Sequence, residues 1–169
     1  DHLVLTIIAA DKPGLVERIA QTIAAQGGNW LDSRMAHMAG QFAGILRVSV
    51  PADNRQALVG ALEDLSTHGI RVLVGEGSTA QAPASKPIVM TLVGNDRAGI
   101  VREITALLSR QGVNLESLST GVTPAPMSGD LLFNAEALLQ VPSSLPLETL
   151  QASLETLADD LMVELHHEE

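Results

Sequence analysis

Two stretches of the chain carry the same turn and polar residues at the same spacing. In the first, Asp11 precedes Gly14 by three positions and Asn29 follows that glycine by fifteen; in the second, Asp96, Gly99 and Asn114 repeat both intervals. A strand that turns through such a glycine into a helix presents a helix N-terminus, whose first N–H groups have no internal partner. Those donors and the helix dipole favour an anion such as a carboxylate. Glycine at the turn lets a ligand approach the backbone closely. Asn29 and Asn114, expected to begin the strand beside the turn, could bond a ligand's carboxylate or amine, while Asp11 and Asp96 could balance an ammonium group. The candidate ligand-binding residues are therefore Asp11, Pro13, Gly14, Leu15 and Asn29 in one copy, and Asp96, Gly99, Ile100 and Asn114 in the other. Together they describe a pocket for an amino acid. The same types also serve without any ligand, with Asp capping a helix, Gly making a tight turn and Asn adopting a left-handed cap.

Other chemistry finds little support in the residues. There is no Gly-x-Ser-x-Gly elbow, no phosphate-binding glycine loop and no His-Glu-x-x-His pair. His37 lies between Met35 and Met38 and reads as a strand histidine. His166 and His167, followed by Glu168 and Glu169, read as a charged, frayed terminus. Ser33 and Ser49 have no evident base. No cofactor, no metal site and no enzymatic activity is expected.

The elements that must position these residues follow from a duplication. A shift of 85 positions brings Leu3–Asp32 onto Ile88–Ser117, with Val4/Val89, Thr6/Thr91, Ile19/Ile104 and Gly27/Gly112 among the identities. Each copy opens with a short β-branched run ending at turn residues, read as a strand. A helix follows, with Val16, Ile19, Ala20 and Ile23 on its expected buried face and Val101, Ile104 and Leu108 in the second copy. Two strands come next in the first copy, near Trp30–Met38 and Phe42–Val50, joined at Ala39-Gly40-Gln41. A helix with Leu58, Leu62 and Leu65 and a strand over Ile70–Val74 close it. The second copy repeats the order with a longer hairpin at Thr123–Asp130, a helix carrying Leu150, Leu154, Leu157 and Leu161, and a strand near Leu161–Leu165. The expected fold is α+β: two tandem ferredoxin-like βαββαβ domains, each an antiparallel sheet with two helices on one face. Residues 1–76 form the first domain, the Gly/Ser/Ala/Pro-rich stretch 77–87 a linker, and 88–169 the second domain.

Composition narrows the partners. The 169 residues are 46% hydrophobic and 18% charged, which supports a buried core. Net charge is −10, the wrong sign for gripping nucleic-acid phosphates, and two Phe, one Trp and no Tyr leave no platform for stacking bases. Direct nucleic-acid binding is not expected. With no Cys, disulfides and thiolate chemistry drop out. No apolar run reaches the ~20 residues that span a bilayer, so no membrane partner is expected and the cytoplasm is the expected compartment. The chain opens at Asp1 rather than Met, so preceding residues are expected to be missing.

The Asp-x-(Pro/Ala)-Gly turn, the Asn and the βαββαβ order resemble the ACT domain, a regulatory module that binds amino acids and other small metabolites. The resemblance covers nearly the whole chain as two tandem copies, although the second has Ala98 where Pro is usual. The segment "NWLDSRMAHMAGQF", Asn29 to Phe42, is more specific and resembles the glycine cleavage system transcriptional repressor family. That resemblance implies a non-enzymatic regulator with glycine as effector and a DNA-binding transcriptional activator as protein partner. A generic ACT-type module that controls a metabolic enzyme in trans, with another small ligand, is the alternative. Asp32, Ser33 and Arg34 match the family string; their expected place is an interface, with ligand contact and strand packing as the alternatives. The sequence leaves room for a homodimer.

Overall fold

A computed structural model of the chain describes residues 1–78 and 84–169. Contacts divide it into two compact units, Asp1–Ala80 and Gln81–Glu169. In the first, β1 (His2–Ala10), α1 (Leu15–Ala25), β2 (Asn29–Met38), β3 (Gln41–Ser49), α2 (Arg55–Glu63) and β4 (Ile70–Glu76) form a four-stranded sheet of order β2-β3-β1-β4. In the second, β5 (Ser85–Asn95), α3 (Ile100–Arg110), β6 (Asn114–Pro124), β7 (Leu131–Pro142), α4 (Leu147–Glu155) and β8 (Met162–His167) give β6-β7-β5-β8. Every described neighbouring pair is antiparallel. The fold is α+β, a βαββαβ unit made twice.

Strand periodicity decides which face each sheet buries. Along β1, Leu3, Leu5, Ile7 and Ala9 are buried, and Ile88, Met90 and Leu92 repeat the alternation in β5. Opposite them α1 supplies Leu15, Ile19 and Ile23, and α2 supplies Leu58 and Leu62. In the second unit α3 supplies Ile100, Ile104, Leu107 and Leu108, and α4 supplies Leu150 and Leu154. Full burial of such a side chain is worth about 1.5–3 kcal/mol, which outweighs weak local propensities. Both faces differ from expectation at one residue: Val16 and Val101 are 44% and 39% exposed. A helix lying on one sheet buries a narrow stripe, here centred on Leu15 and Ile19, so the valines fall on its rim.

The copies share a local irregularity as well as their order. The register of β2 on β3 shifts between Trp30 and Asp32, and that of β6 on β7 shifts between Leu115 and Ser117. These positions correspond under the same 85-residue shift, so the bulge was duplicated with the fold. The hairpins differ: β2 and β3 are joined by Ala39 and Gly40, both at positive φ, whereas β6 and β7 are joined through Ala125–Asp130.

Three expectations about element limits change. β5 begins at Ser85, inside the stretch read as a linker, because the twelve-residue β7 reaches far enough to pair Ser85 with Pro142; residues 79–83 of that stretch lie outside the described residues. Helix α4 ends at Glu155, so Leu157 and Leu161 pack from the segment beyond it. His166 and His167 are rungs of β8 opposite Val89 and Ile88 rather than a frayed end.

Candidate functional site

The corner after the first strand is built the same way in both units. At the end of β1 the Asp11 N–H donates to the Gly40 carbonyl at 2.9 Å, and after β5 the Asp96 N–H donates to the Leu131 carbonyl at 2.9 Å. Each turn is thereby tied to the hairpin beside it. Gly14 and Gly99 then enter the helix at φ 90° and 85°, a left-handed conformation that disfavours a side chain. The first helical bonds run from the Arg18 N–H to the Gly14 carbonyl and from the Glu103 N–H to the Gly99 carbonyl, each at 3.0 Å. No side chain caps either helix, so Asp11 and Asp96 do not serve as caps. In the second unit the Ile100 N–H donates to the Arg97 carbonyl at 3.4 Å; the other first-turn N–H groups are left for another acceptor.

Two adjoining hollows open onto this corner in the first unit. One of about 470 Å³ is lined by Lys12, Pro13, Gly14, Leu15, Glu17, Arg18 and Gln21. The other, about 260 Å³, is lined by Asp11, Val16 and Phe42 together with Lys12, Gly14, Leu15 and Glu17 of the first. Lys12 Nζ donates to the His68 carbonyl at 3.4 Å, and its counterpart Arg97 donates from Nη2 to the Leu157 carbonyl at 3.3 Å. Each cation thus straps the corner to the segment leading into the last strand. Leu15 and Ile100 are 4% and 5% exposed and belong mainly to the core.

His37 belongs to the first corner, which the sequence reading missed. Its Nδ1 lies 3.4 Å from Asp11 Oδ2, and its backbone is opposite Phe42. The two-residue turn at Ala39-Gly40 is the signal that could have placed it, since it returns β2 beside the end of β1. The equivalent rung of β6 holds Val122, opposite Phe133. In the second corner Arg97 instead pairs with Glu103. That hydrogen bond holds the Glu103 carboxyl below, and the Arg97 guanidinium above, their ordinary ranges.

Asn29 and Asn114 are not at these corners. Ala10 opposes Gln41 and Asn29 opposes Ser49, eight residues further along β3. At about 3.3 Å per residue the asparagine stands roughly 26 Å away. Asn114 sits likewise opposite Gln140, eight residues along β7 from the partner of Asn95. The reason is the crossover: α1 runs back along the sheet before β2 starts, so the first residue of β2 lies at the far end from the turn. Asp11, Pro13, Gly14 and Leu15 come together; Asn29 does not join them.

Asp32, Ser33 and Arg34 follow the bulge. Ser33 lies on the helix side and accepts from Trp30 Nε1 at 3.2 Å. Asp32 accepts from Arg47 Nε at 2.7 Å and, with Arg34, sits on the helix-free face, where Val4, Ile45 and Arg47 complete a depression of about 400 Å³. Among the described residues no group of three or more His, Cys, Asp or Glu is placed to hold a metal ion, and no helix is long and apolar enough to cross a membrane.

Residues 1–74 match the ACT domain family model. The glycine cleavage system transcriptional repressor of Escherichia coli K12 is 24% identical over 170 aligned positions, covering 95% of this chain and 85% of that protein, and the Shigella flexneri repressor matches equally. Among solved structures, an unknown protein from Galdieria sulphuraria superposes with a TM-score of 0.86 at 26% identity, covering 99% of this chain and 98% of that one. A candidate glycine cleavage system transcriptional repressor superposes at 0.72 with 20% identity and the same coverage.

Proposed function

We propose that this tandem ACT-domain chain, which resembles the glycine cleavage system transcriptional repressor, is a non-enzymatic, glycine-responsive regulator. It senses the amino acid at the corner between β1 and α1 and acts by protein contact with a DNA-binding activator. The observation that carries the reading is the uncapped helix N-terminus behind Gly14, opening onto hollows beside Asp11 and Lys12. A carboxylate accepts from the free N–H groups there, and Asp11 balances an ammonium. The likeness to the repressor over 95% of the chain supports the regulatory role. The net charge of −10 suits action through another protein rather than on DNA itself.

Calorimetric titration with glycine and the other common amino acids tests the sensing step. Glycine has about five heavy atoms, and at a ceiling near −1.5 kcal/mol per atom its dissociation constant is no tighter than about micromolar. Heat from glycine in that range or weaker is expected; silence across the set would remove the ligand. A gel shift tests the second step. The pure chain is expected to leave operator DNA unretarded and to change the mobility of an activator–DNA complex in a glycine-dependent way. Direct retardation by the pure chain would overturn the mode of action.

A further inference from the structure

Each sheet has one face without helices, and the two faces carry opposite charge. In the first unit the residues alternate outward as Thr6 and Ile8 on β1, Ala43, Ile45 and Arg47 on β3, Asp32 and Arg34 on β2, and Arg71 and Leu73 on β4. Ile45 and Leu73 are 57% and 70% exposed. This apolar surface therefore carries three arginines against one aspartate, in a chain with twice as many acidic as basic residues. Arg47 is paired with Asp32, while neither Arg34 nor Arg71 forms an ion pair among the described residues. The corresponding face of the second unit presents Val89, Thr91 and Val93, with Leu138, Glu136, Glu164 and Met162. Glu136 replaces Ile45 and Glu164 replaces Leu73 by position in the two sheets. Glu116 reaches the same side through Gln140, whose Nε2 donates to it at 2.9 Å. No Lys or Arg stands on that face.

We propose that two copies of this chain associate face to face, the helix-free sheet of the first unit in one copy packing on the helix-free sheet of the second unit in the other, reciprocally. Like faces are excluded as partners, because arginines would meet arginines, and juxtaposed like charges cost several kcal/mol. Area argues for reciprocity. Four strands about 4.8 Å apart and about eight residues long give a face of roughly 500 Å², so one contact buries about 1,000 Å² in total. That falls short of the roughly 1,200–2,000 Å² of specific stable interfaces, whereas two contacts reach it. Reciprocal pairing also closes the assembly, where a single head-to-tail contact would leave a complementary face free to recruit further copies. Apolar centres of Ile45, Leu73, Val89 and Val93 exclude water, and the arginines and glutamates set which face meets which.

Sedimentation velocity over a concentration series tests this. The unaltered chain is expected at twice its monomer mass. Arg34→Glu with Arg71→Glu, and separately Glu136→Arg with Glu164→Arg, are each expected to weaken self-association about 100-fold or more, with circular dichroism unchanged. An equimolar mixture of the two variants forms a heterodimer in which one contact keeps its original signs and the other has them exchanged, so both are complementary again and the dimer is expected to return. A monomeric unaltered chain, a dimer indifferent to either reversal, or a mixture that stays dissociated would each overturn the proposal.

Discussion

Replacing Gly14 by alanine separates the geometry of the corner from its binding role. The residue sits at φ 90°, and an added Cβ would meet nothing within 4 Å, so the substitution brings no clash and only backbone strain. A left-handed L-residue costs about 1–2 kcal/mol. Alanine also removes unfolded-chain entropy worth about 0.4–1 kcal/mol, which offsets part of that cost. The net loss is roughly 0.5–1.5 kcal/mol, and for a unit of this size each kcal/mol lowers the melting temperature by about 4–8 °C. Gly99→Ala and Gly112→Ala are matched controls: φ is 85° and 73°, and neither added Cβ comes closer than 3.6 Å to a neighbour. All three variants should lose similar stability by thermal melting followed by circular dichroism. Glycine affinity by calorimetry should separate them. In the proposed binding mode a methyl at Gly14 would stand where the carboxylate approaches the first-turn N–H groups, and one charge-assisted hydrogen bond is worth about 1.5–3 kcal/mol, so the dissociation constant should rise roughly 10- to 100-fold. Gly112→Ala, at the other end of its unit, should leave affinity unchanged. An unchanged melting temperature for Gly14→Ala would refute the left-handed turn. An unchanged affinity alongside the expected destabilisation would refute the corner as the binding site.

Three further outcomes follow from single contacts. A Cβ on Gly44 would come within 2.5 Å of Met35 Cγ, whereas the paired positions in the second unit hold Thr120 and Ala135. Gly44→Ala should therefore destabilise by about 1–3 kcal/mol, and adding Met35→Thr should recover part of that loss in a double-mutant denaturation cycle; full additivity would contradict the packing. Ala39 occupies the β2–β3 turn at φ 49° ahead of Gly40, where Asn is favoured, so Ala39→Asn should raise stability by about 0.5–1 kcal/mol on urea titration. Glu103 has its folded pKa depressed by the hydrogen bond from Arg97. The stability this adds is present above the ordinary glutamate range and is lost as pH falls through the folded pKa. Glu103→Gln should flatten the acid limb of the pH–stability profile, and an unaltered slope would dismiss the pair.

Much of the fold was legible because alternation and duplication constrain each other. The alternation of β1 fixes which side of the sheet is buried, and the 85-residue repeat carries that assignment to β5 without new evidence. The turns were legible because Gly14 and Gly27 mark backbone geometry that other residues resist; Gly27 ends α1 at φ 73°. The site was harder. Sequence spacing reports how far Asn29 lies from Gly14 along the chain, but not that an eleven-residue helix returns it to the other end of the sheet. Trp30, next to Asn29, therefore reports on that far end rather than on the corner. His37 was hidden for the converse reason: it is distant in sequence from Asp11 and is brought beside it only by pairing through β3.

The repeat thus gives two kinds of information, and only one of them concerns chemistry. Features that persist with the backbone, such as the bulge after Trp30 and Leu115 or the turn bonds from Asp11 and Asp96, recur whether or not a ligand is bound there. Their duplication is evidence about folding. The informative positions are those where identical geometry carries different side chains. His37 becomes Val122 at the corner and Arg34 becomes Ser119 on the open face, while the Met35–Gly44 rung becomes Thr120–Ala135. The first corner holds a carboxylate beside an imidazole, and the second commits its cation to Glu103. Two corners that share a backbone but not these groups should not bind the same amino acid equally. A glycine titration that fits two identical sites would contradict that asymmetry, and a single site weakened by Gly14→Ala but not by Gly99→Ala would bear it out.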